Sequence, residues 1–238
     1  SNTVTGYFLC GGGLIGNYVG SYNSVSSIIV DITGDFISNI VTVDDFVHGG
    51  GLIGNFSYSP SRSYSSSSTI GDITGDFISN NVNLKYRDMS GGGLIGNFAY
   101  DSNSSSIIGD ITGDFISNNV TISRGSVSGG GLIGNYAFTI DYSSSTSTIG
   151  DITGDFISNT VNITSYLYGG GLIGNYAYSS SDSSFSTIGD ITGDFISNTV
   201  NITSSLYGGG LIGNYAYAGN GSSPSSIIGD ITGDFISN

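Results

Sequence analysis

The sequence predicts an all-β protein, a parallel β-solenoid formed by a single repetitive domain over residues 1–238. Six copies of one unit fill nearly the whole chain at a period of about 39 residues, and such a period is typical of solenoids. Gly, Ser, Ile, Thr, Val and Tyr abound while Glu is absent, which favours strands and turns over helices. The triple glycines that mark the units begin at Gly11, Gly49, Gly91, Gly129, Gly169 and Gly208.

Each unit is expected to form roughly one coil of three strands joined by tight corners. In the fifth copy, residues 189–195 alternate between apolar and polar types, which predicts a strand with Ile191 facing inward. The stretch around Val200 predicts a second strand, and residues 211–217 predict a third. Crossover connections predict a right-handed β-helix. A rival interpretation, in which each unit makes two short coils, stays open.

Three kinds of residue are predicted to form corners or loops. Asn198 ends the repeated motif FISN, and asparagine tolerates the left-handed backbone of a sharp bend. The glycine triplets mark places where the backbone needs a positive φ or passes too close to a neighbour for a Cβ. The serine-rich segments 59–69, 143–148 and 179–187 vary in length and are expected to protrude as loops.

Stacked coils would place equivalent residues of successive units above one another. A repeated phenylalanine is then expected to form an internal aromatic column, and two repeated asparagines to form ladders of mutually satisfied amides. The predicted core column comprises Phe36, Phe77, Phe115, Phe156, Phe195 and Phe235. The first asparagine ladder comprises Asn39, Asn80, Asn118, Asn159 and Asn198, and the second comprises Asn17, Asn55, Asn97, Asn135, Asn175 and Asn214.

Charge and composition narrow the classes of partner. The formal net charge is −14, which repels phosphate backbones and anionic membranes, so we expect no nucleic-acid partner. A single cysteine precludes an intrachain disulfide. No apolar run approaches the roughly 18 residues that cross a bilayer, so we expect no membrane insertion of this segment. Low lysine with abundant Ser, Thr, Gly and Asn favours an extracellular or cell-surface location.

Two repeated aspartates are the sharpest chemical feature of the unit. With one coil per unit, like charges would stack about 5 Å apart, at a cost near 1 kcal/mol per neighbour in water. Bound Ca²⁺, which prefers oxygen ligands, would relieve this repulsion. The competing interpretation is solvated charge that blunts aggregation. The two columns comprise Asp31, Asp72, Asp110, Asp151, Asp190 and Asp230, and Asp35, Asp76, Asp114, Asp155, Asp194 and Asp234.

An aromatic pair recurs after each GGGLIGN motif, as Phe56 and Tyr58 in the second unit. A packed core edge is the favoured interpretation, and an exposed stripe that binds sugar or another fibre is the alternative. His48 and Cys10 share one repeat position, which is expected to be an exposed corner without function. Sites for N-glycosylation are predicted where an asparagine begins an N-x-S/T sequence. These are Asn55, Asn103, Asn119, Asn162, Asn201 and Asn220.

The alternation of FISN with GGGLI resembles the paired FxxN and GGA(I/L/V) motifs of autotransporter passengers, above all the chlamydial polymorphic outer-membrane proteins. The pattern recurs along the whole chain, for example at residues 77–80 before 91–95, with Gly where the family usually has Ala. What the resemblance implies is a β-helical stalk exported to a cell surface, often adhesive.

The sequence favours a structural role over catalysis. Asp190 and Asp194 stand four residues apart on one strand, roughly 13 Å, whereas glycosidase carboxylates need about 5 to 9.5 Å. Both ends of the sequence fall in the same repeat junction, which predicts a section of a longer repeat protein or a subunit that stacks end to end. The expected function is a non-enzymatic extracellular fibre or stalk. The alternative is an adhesin for glycans or cell surfaces.

Overall fold

In the computed structural model the chain forms a β-solenoid of six coils, and every strand pairs in parallel with the equivalent strand of the next coil. One repeat makes one coil, which excludes the two-coil interpretation. The structure describes residues 1–60, 64–85, 88–140, 143–164, 166–219 and 222–238. Each coil passes through six sheets, which we name A to F in chain order. Equivalent residues pair in register, as Ile73 does with Ile111.

Sheets A to C contain the strands of the first half of each coil. Sheet A comprises Thr3–Gly6, Ile40–Val43, Asn81–Leu84, Asn119–Ile122, Thr160–Ile163 and Thr199–Ile202. Sheet B comprises Leu9–Gly12, Val47–Gly50, Met89–Gly92, Val127–Gly130, Leu167–Gly170 and Leu206–Gly209. Sheet C comprises Ile15–Gly20, Ile53–Tyr58, Ile95–Tyr100, Ile133–Thr139, Ile173–Ser179 and Ile212–Ala218.

Sheets D to F complete the coil. Sheet D comprises Val25–Ile29, Ser65–Ile70, Asn103–Ile108, Ser145–Ile149, Ser184–Ile188 and Ser225–Ile228. Sheet E comprises Ile32–Thr33, Ile73–Thr74, Ile111–Thr112, Ile152–Thr153, Ile191–Thr192 and Ile231–Thr232. Sheet F comprises Phe36–Ile37, Phe77–Ile78, Phe115–Ile116, Phe156–Ile157, Phe195–Ile196 and Phe235–Ile236.

The prediction of three strands per coil is therefore wrong in detail, because each coil has six short ones. The predicted strand 189–195 is two dipeptide strands, since Gly193 takes a φ of 153° and bends the chain between them. The serine-rich segments are not simply loops either. Their second halves form the strands of sheet D, and residues 61–63 and 141–142 near their first halves lie outside the described part of the chain.

The tight corner after sheet F is made by serine instead of the predicted asparagine. The serine of each FISN motif has a φ of 54–56° in all six coils, the left-handed region, whereas the following asparagine points into the body of the solenoid. The first glycine of each triplet has a φ of 91–133°, as that prediction required. The serines are Ser38, Ser79, Ser117, Ser158, Ser197 and Ser237.

The core is one apolar column enclosed by the coils. Each interior coil contributes eight buried side chains from all six sheets and the Leu that precedes sheet C. The sheet F phenylalanines stack with ring centroids 4.8–4.9 Å apart and ring planes within 4° of parallel. In the third coil the eight are Val82, Leu84, Met89, Leu94, Ile95, Ile108, Ile111 and Phe115.

The asparagines that follow sheet F form a continuous hydrogen-bonded ladder. Asn118 is 1% exposed, and its Nδ2 donates to Asn159 Oδ1 at 3.0 Å and to the carbonyl of Phe77 at 2.6 Å. Its Oδ1 accepts from the backbone N–H and the Nδ2 of Asn80. Every donor and acceptor of this buried amide is therefore used, and Asn2 and Asn238 extend the ladder at its two ends.

The second set of asparagines stacks in sheet C but binds serines rather than other asparagines. Asn97 Oδ1 accepts from Ser68 Oγ at 2.5 Å, and its Nδ2 donates to the carbonyls of Ser68 and Ile107. The prediction of mutually paired amides is wrong for this set. Its amides instead join sheet C to sheet D through a buried polar seam, which explains why serine is required inside these strands.

Candidate functional site

The candidate site is an aromatic surface on the outer side of sheet C. Alternation along the strand places Ile53, Asn55 and Ser57 inside the coil, so the intervening Phe56 and Tyr58 project outward. Repetition turns these two positions into two parallel columns. We call the first the inner column (Tyr18, Phe56, Phe98, Tyr136, Tyr176 and Tyr215) and the second the outer column (Tyr58, Tyr100, Phe138, Tyr178 and Tyr217).

The inner column is buried although it lies outside the main core. Phe56, Phe98, Tyr136 and Tyr176 are only 4–7% exposed and form a separate apolar cluster. Successive rings of the column stack at centroid distances of 4.9–5.2 Å. Burial raises the pKa of the Tyr136 and Tyr176 phenols above their usual range, so both are neutral at physiological pH.

The outer column is half-buried and forms the accessible edge of this surface. The rings from Tyr100 to Tyr217 stack on one another at 4.7–5.1 Å, and Tyr58 lies tilted against Tyr100 at 5.2 Å. In the third to fifth coils they meet the inner column edge to face, as Tyr100 meets Phe98 at an interplanar angle of 76°. The two sequence interpretations therefore apply to different columns, since the inner column is a packed edge and the outer column is a partly exposed stripe.

A third column comes from the outward residues of sheet B, namely Cys10, His48, Ser90, Ser128, Tyr168 and Tyr207. The expectation of an exposed corner is wrong for His48, whose ring packs against Phe56 at 4.9 Å and Phe98 at 5.3 Å. Burial lowers the pKa of this imidazole to about 4, an effect that the negative charge of Asp88 partly opposes. His48 Nδ1 is buried without a hydrogen-bond partner among the described residues.

The lowered pKa of His48 predicts a specific dependence of stability on pH. Between pH 6.5 and about 4 the unfolded histidine binds a proton that the folded one does not, so the free energy of unfolding falls as pH falls through this window. His48→Ser places the residue found at Ser90 and Ser128 in the same position. In urea unfolding at pH 7.5 and 4.5, the wild-type protein is expected to lose on the order of 2 kcal/mol more than this variant. Parallel losses in the two proteins would contradict the assignment.

The aspartates of both columns act as hydrogen-bond acceptors between coils. Asp110 Oδ1 accepts the backbone N–H of Asp151 at 2.9 Å, and Asp114 Oδ1 accepts that of Asp155 at 2.8 Å. The same bond recurs from coil to coil in both columns, from Asp31 to Asp230 and from Asp35 to Asp234. The carboxylates thus accept hydrogen bonds from the N–H groups of the corner residues that immediately precede the short strands of sheets E and F.

Among the described residues, no group of three or more His, Cys or Asp side chains lies close enough together to hold a metal ion. Ca²⁺ binding by the aspartate columns stays a prediction from their charge.

The predicted glycosylation sites differ in accessibility. Asn55 is fully buried and its amide is hydrogen-bonded in the polar seam, so the folded chain cannot present it to an enzyme. Asn103 and Asn201 are exposed, and Asn119 and Asn162 are half-buried. The sixth predicted site, Asn220, lies outside the described residues.

The polar seam is what sequence reasoning missed. Each strand of sheet D ends at an isoleucine, and a serine always lies two residues before it, as Ser68 does before Ile70. The position between the two is either Thr or Ile. A constant residue at period two is a strand signal. It was concealed by the serine-rich composition, which is also typical of loops.

Comparison with protein-family models, curated proteins and solved structures finds no match to this chain. The resemblance to autotransporter passengers therefore stays a prediction from the motifs. The described part of the chain contains no helix long and apolar enough to cross a membrane.

Proposed function

We propose that this chain is a structural, non-enzymatic section of an extracellular fibre or stalk, extended by the stacking of further coils. One observation carries the proposal: the last coil exposes positions that every interior coil buries. Phe235 is 52% exposed where Phe195 is fully buried, and Ile231 is 43% exposed where Ile191 is fully buried. A further coil in register would cover these side chains and pair the open strand edges.

The repeated architecture supports such a role. A solenoid contacts only its neighbours, so adding a coil repeats an interface that the chain already contains several times over. The aspartate columns contribute negative charge along the whole length of the solenoid, which favours solubility at its sides. A protein that adds coils along its axis and does not aggregate laterally forms a fibre.

Gly210→Ala tests stacking between copies. In interior coils, a Cβ added to the third glycine of the triplet would point at the next coil. At Gly131, for example, it would meet the carbonyl oxygen of Gly171. At Gly210 a Cβ meets no described atom within 4 Å, so the variant should fold normally and yet obstruct a second copy. At high concentration we expect the wild-type protein to form filaments that are visible by electron microscopy. The Gly210→Ala protein is expected to form no long filaments.

Thr192→Ala is the matched control, because it trims an exposed side chain on the flank of an interior coil and leaves both ends intact. It should form filaments like the wild type. Wild-type protein that stays monomeric at high concentration, or a Gly210→Ala variant that assembles normally, would oppose end-to-end stacking of separate copies.

Adhesion is a second candidate function, favoured by the outer aromatic column. Tyrosine rings such as Tyr217, which is 43% exposed, offer apolar faces and hydroxyl groups to a glycan or another surface. Measurable glycan binding by the isolated chain would favour this function, whereas filaments without such binding would favour the structural one.

A further inference from the structure

The column of sheet B shows what kind of group packs beside the inner aromatic column. In the fifth coil Tyr168 fills this place, stacked at 5.5 Å on Tyr176 and at 4.9 Å on Tyr207 of the next coil. In the second coil the ring of His48 fills it. The third and fourth coils have Ser90 and Ser128 instead, whose side chains are too short to cover the rings behind them.

A pocket of about 250 Å³ results at Ser90, and we call it the Ser90 notch. It is smaller than the roughly 300–1,000 Å³ of sites for drug-sized ligands, so its volume suits a single small ring. Its floor is made by Phe56, Phe98 and Tyr136, one wall by Tyr58, Tyr100 and Phe138, and the other side by His48, Asp88 and Ser90.

The spacing of the coils fits a flat ring in this place. Neighbouring strands lie about 4.8 Å apart, and the side-chain rings in the aromatic columns stack at nearly the same distance. Because two successive coils have serine here, a planar ring can enter beside Ser90 and stack over His48 as Tyr207 stacks over Tyr168. Planar rings thus occupy this column in the second, fifth and sixth coils, as His48, Tyr168 and Tyr207.

The polar groups of the notch favour a positive charge beside that ring. Asp88 is exposed at the rim, with its Oδ1 accepting the backbone N–H of Ser126 at 2.7 Å. The chain as a whole carries a formal charge of −14, which attracts cations and repels anions. His48 also lines the notch, and its Nδ1 is buried without a hydrogen-bond partner among the described residues.

We propose that the Ser90 notch binds a planar aromatic ring attached to a positive charge, in the place that a tyrosine ring occupies two coils further along. Both a free arylalkylamine and a tyrosine side chain beside a lysine have this chemistry. The inference is independent of filament formation, because every residue of the notch lies in the second to fourth coils and is distant from the ends.

Binding is measured by calorimetry on the full chain with two probes, tyramine and the blocked dipeptide acetyl-Lys-Tyr-amide. Saturable binding of tyramine is expected, and binding of the dipeptide alone would identify a peptide side chain as the source of the ring. Either result supports the notch, whereas binding of neither probe would overturn the proposal.

Ser90→Tyr fills the notch with the residue that the same column has in the fifth and sixth coils. It should keep or raise the melting temperature and weaken binding at least tenfold. Ser105→Tyr is the matched control, because its column on sheet D already accepts an aromatic residue at Phe185. It should leave binding within twofold. Equal binding by wild type and Ser90→Tyr, or an equal loss in Ser105→Tyr, would place the ligand elsewhere.

Asp88→Asn separates the ring from the charge, because it keeps the Oδ1 acceptor for Ser126 and removes the carboxylate charge. Tyramine should bind this variant several-fold more weakly, while uncharged p-cresol should bind wild type and variant alike. If p-cresol binds the wild-type protein as tightly as tyramine does, the positive charge is no part of the recognition and that half of the proposal is wrong.

Discussion

Replacing Gly131 with alanine is expected to abolish the contact between the fourth and fifth coils. The added Cβ would lie well under 3.0 Å from the carbonyl oxygen of Gly171 and from a methyl group of Val161, both in the next coil. Backbone on one side and a fully buried side chain on the other leave no flexible group to move. We expect a loss of more than about 4 kcal/mol in the free energy of unfolding, at the extreme of single substitutions.

Thermal unfolding followed by circular dichroism measures this loss, and limited proteolysis should locate new cleavage near the broken interface. Gly210→Ala is the matched control, because it makes the same change in the same column where the described structure has no neighbour within 4 Å. It should melt at or slightly above the wild-type temperature, since alanine restricts the unfolded chain more than glycine does. A Gly131→Ala protein that melts with its control would refute the close approach of the coils.

Asn118→Asp is expected to lower the free energy of unfolding nearly as much as Gly131→Ala does, although it only replaces the side-chain amide NH₂ with an oxygen. Aspartate keeps the Oδ1 that accepts from Asn80 but loses the Nδ2 that donates to Asn159 and to the Phe77 carbonyl. A carboxylate at a position only 1% exposed would then face two oxygen atoms. We expect a loss of about 3–5 kcal/mol at pH 7, the range for an uncompensated buried charge.

The defect should depend on pH in a defined direction. Burial favours the neutral carboxyl, so the folded variant holds its proton to higher pH than the unfolded chain does, and its stability falls as pH rises from about 4 to 7. Asp110→Asn makes the reverse change on the exposed column and keeps the acceptor for the Asp151 N–H. Urea unfolding should show it unchanged or slightly stabilised, because one like charge is removed. Equal effects of the two substitutions would mean that burial does not distinguish the ladders.

The repeat period and the inward apolar positions could be predicted from the sequence because each depends on local pattern. Every unit has a phenylalanine equivalent to Phe115 and an isoleucine equivalent to Ile111. A solenoid stacks such equivalent positions whatever the shape of the coil. The glycine triplets were equally informative, since only a missing Cβ explains three successive glycines in every copy. Gly50 and Gly51 indeed lie against backbone atoms of their own and the next coil.

The subdivision of the coil could not be predicted in the same way. Whether residues 189–195 form one strand or two depends on the φ of Gly193, and glycine is compatible with either. The left-handed residue of the FISN corner is Ser197, because Asn198 is used by the ladder and must point inward. Intrinsic preference for asparagine in such corners was outweighed by four hydrogen bonds that exist only between coils.

The sidedness of the aromatic surface was likewise beyond the sequence. Phe56 alternates with Asn55 and Ser57, and by polarity alone the phenylalanine would be placed inside. The serines of sheet D reverse this expectation, because Ser27 and Ser66 form hydrogen bonds with the Asn55 and Ser57 side of the strand. The rings are turned outward, where they bury one another, and the pocket beside Ser90 follows from that arrangement.

By itself the sequence determined that six units coil in register around a shared apolar column, because repetition and side-chain periodicity are local properties of a chain. Only the tertiary structure decided which polar groups are buried and which aromatic groups face outward, because that choice depends on hydrogen-bond partners about 10 to 40 residues away. A buried amide is stable only where every donor and acceptor finds a partner.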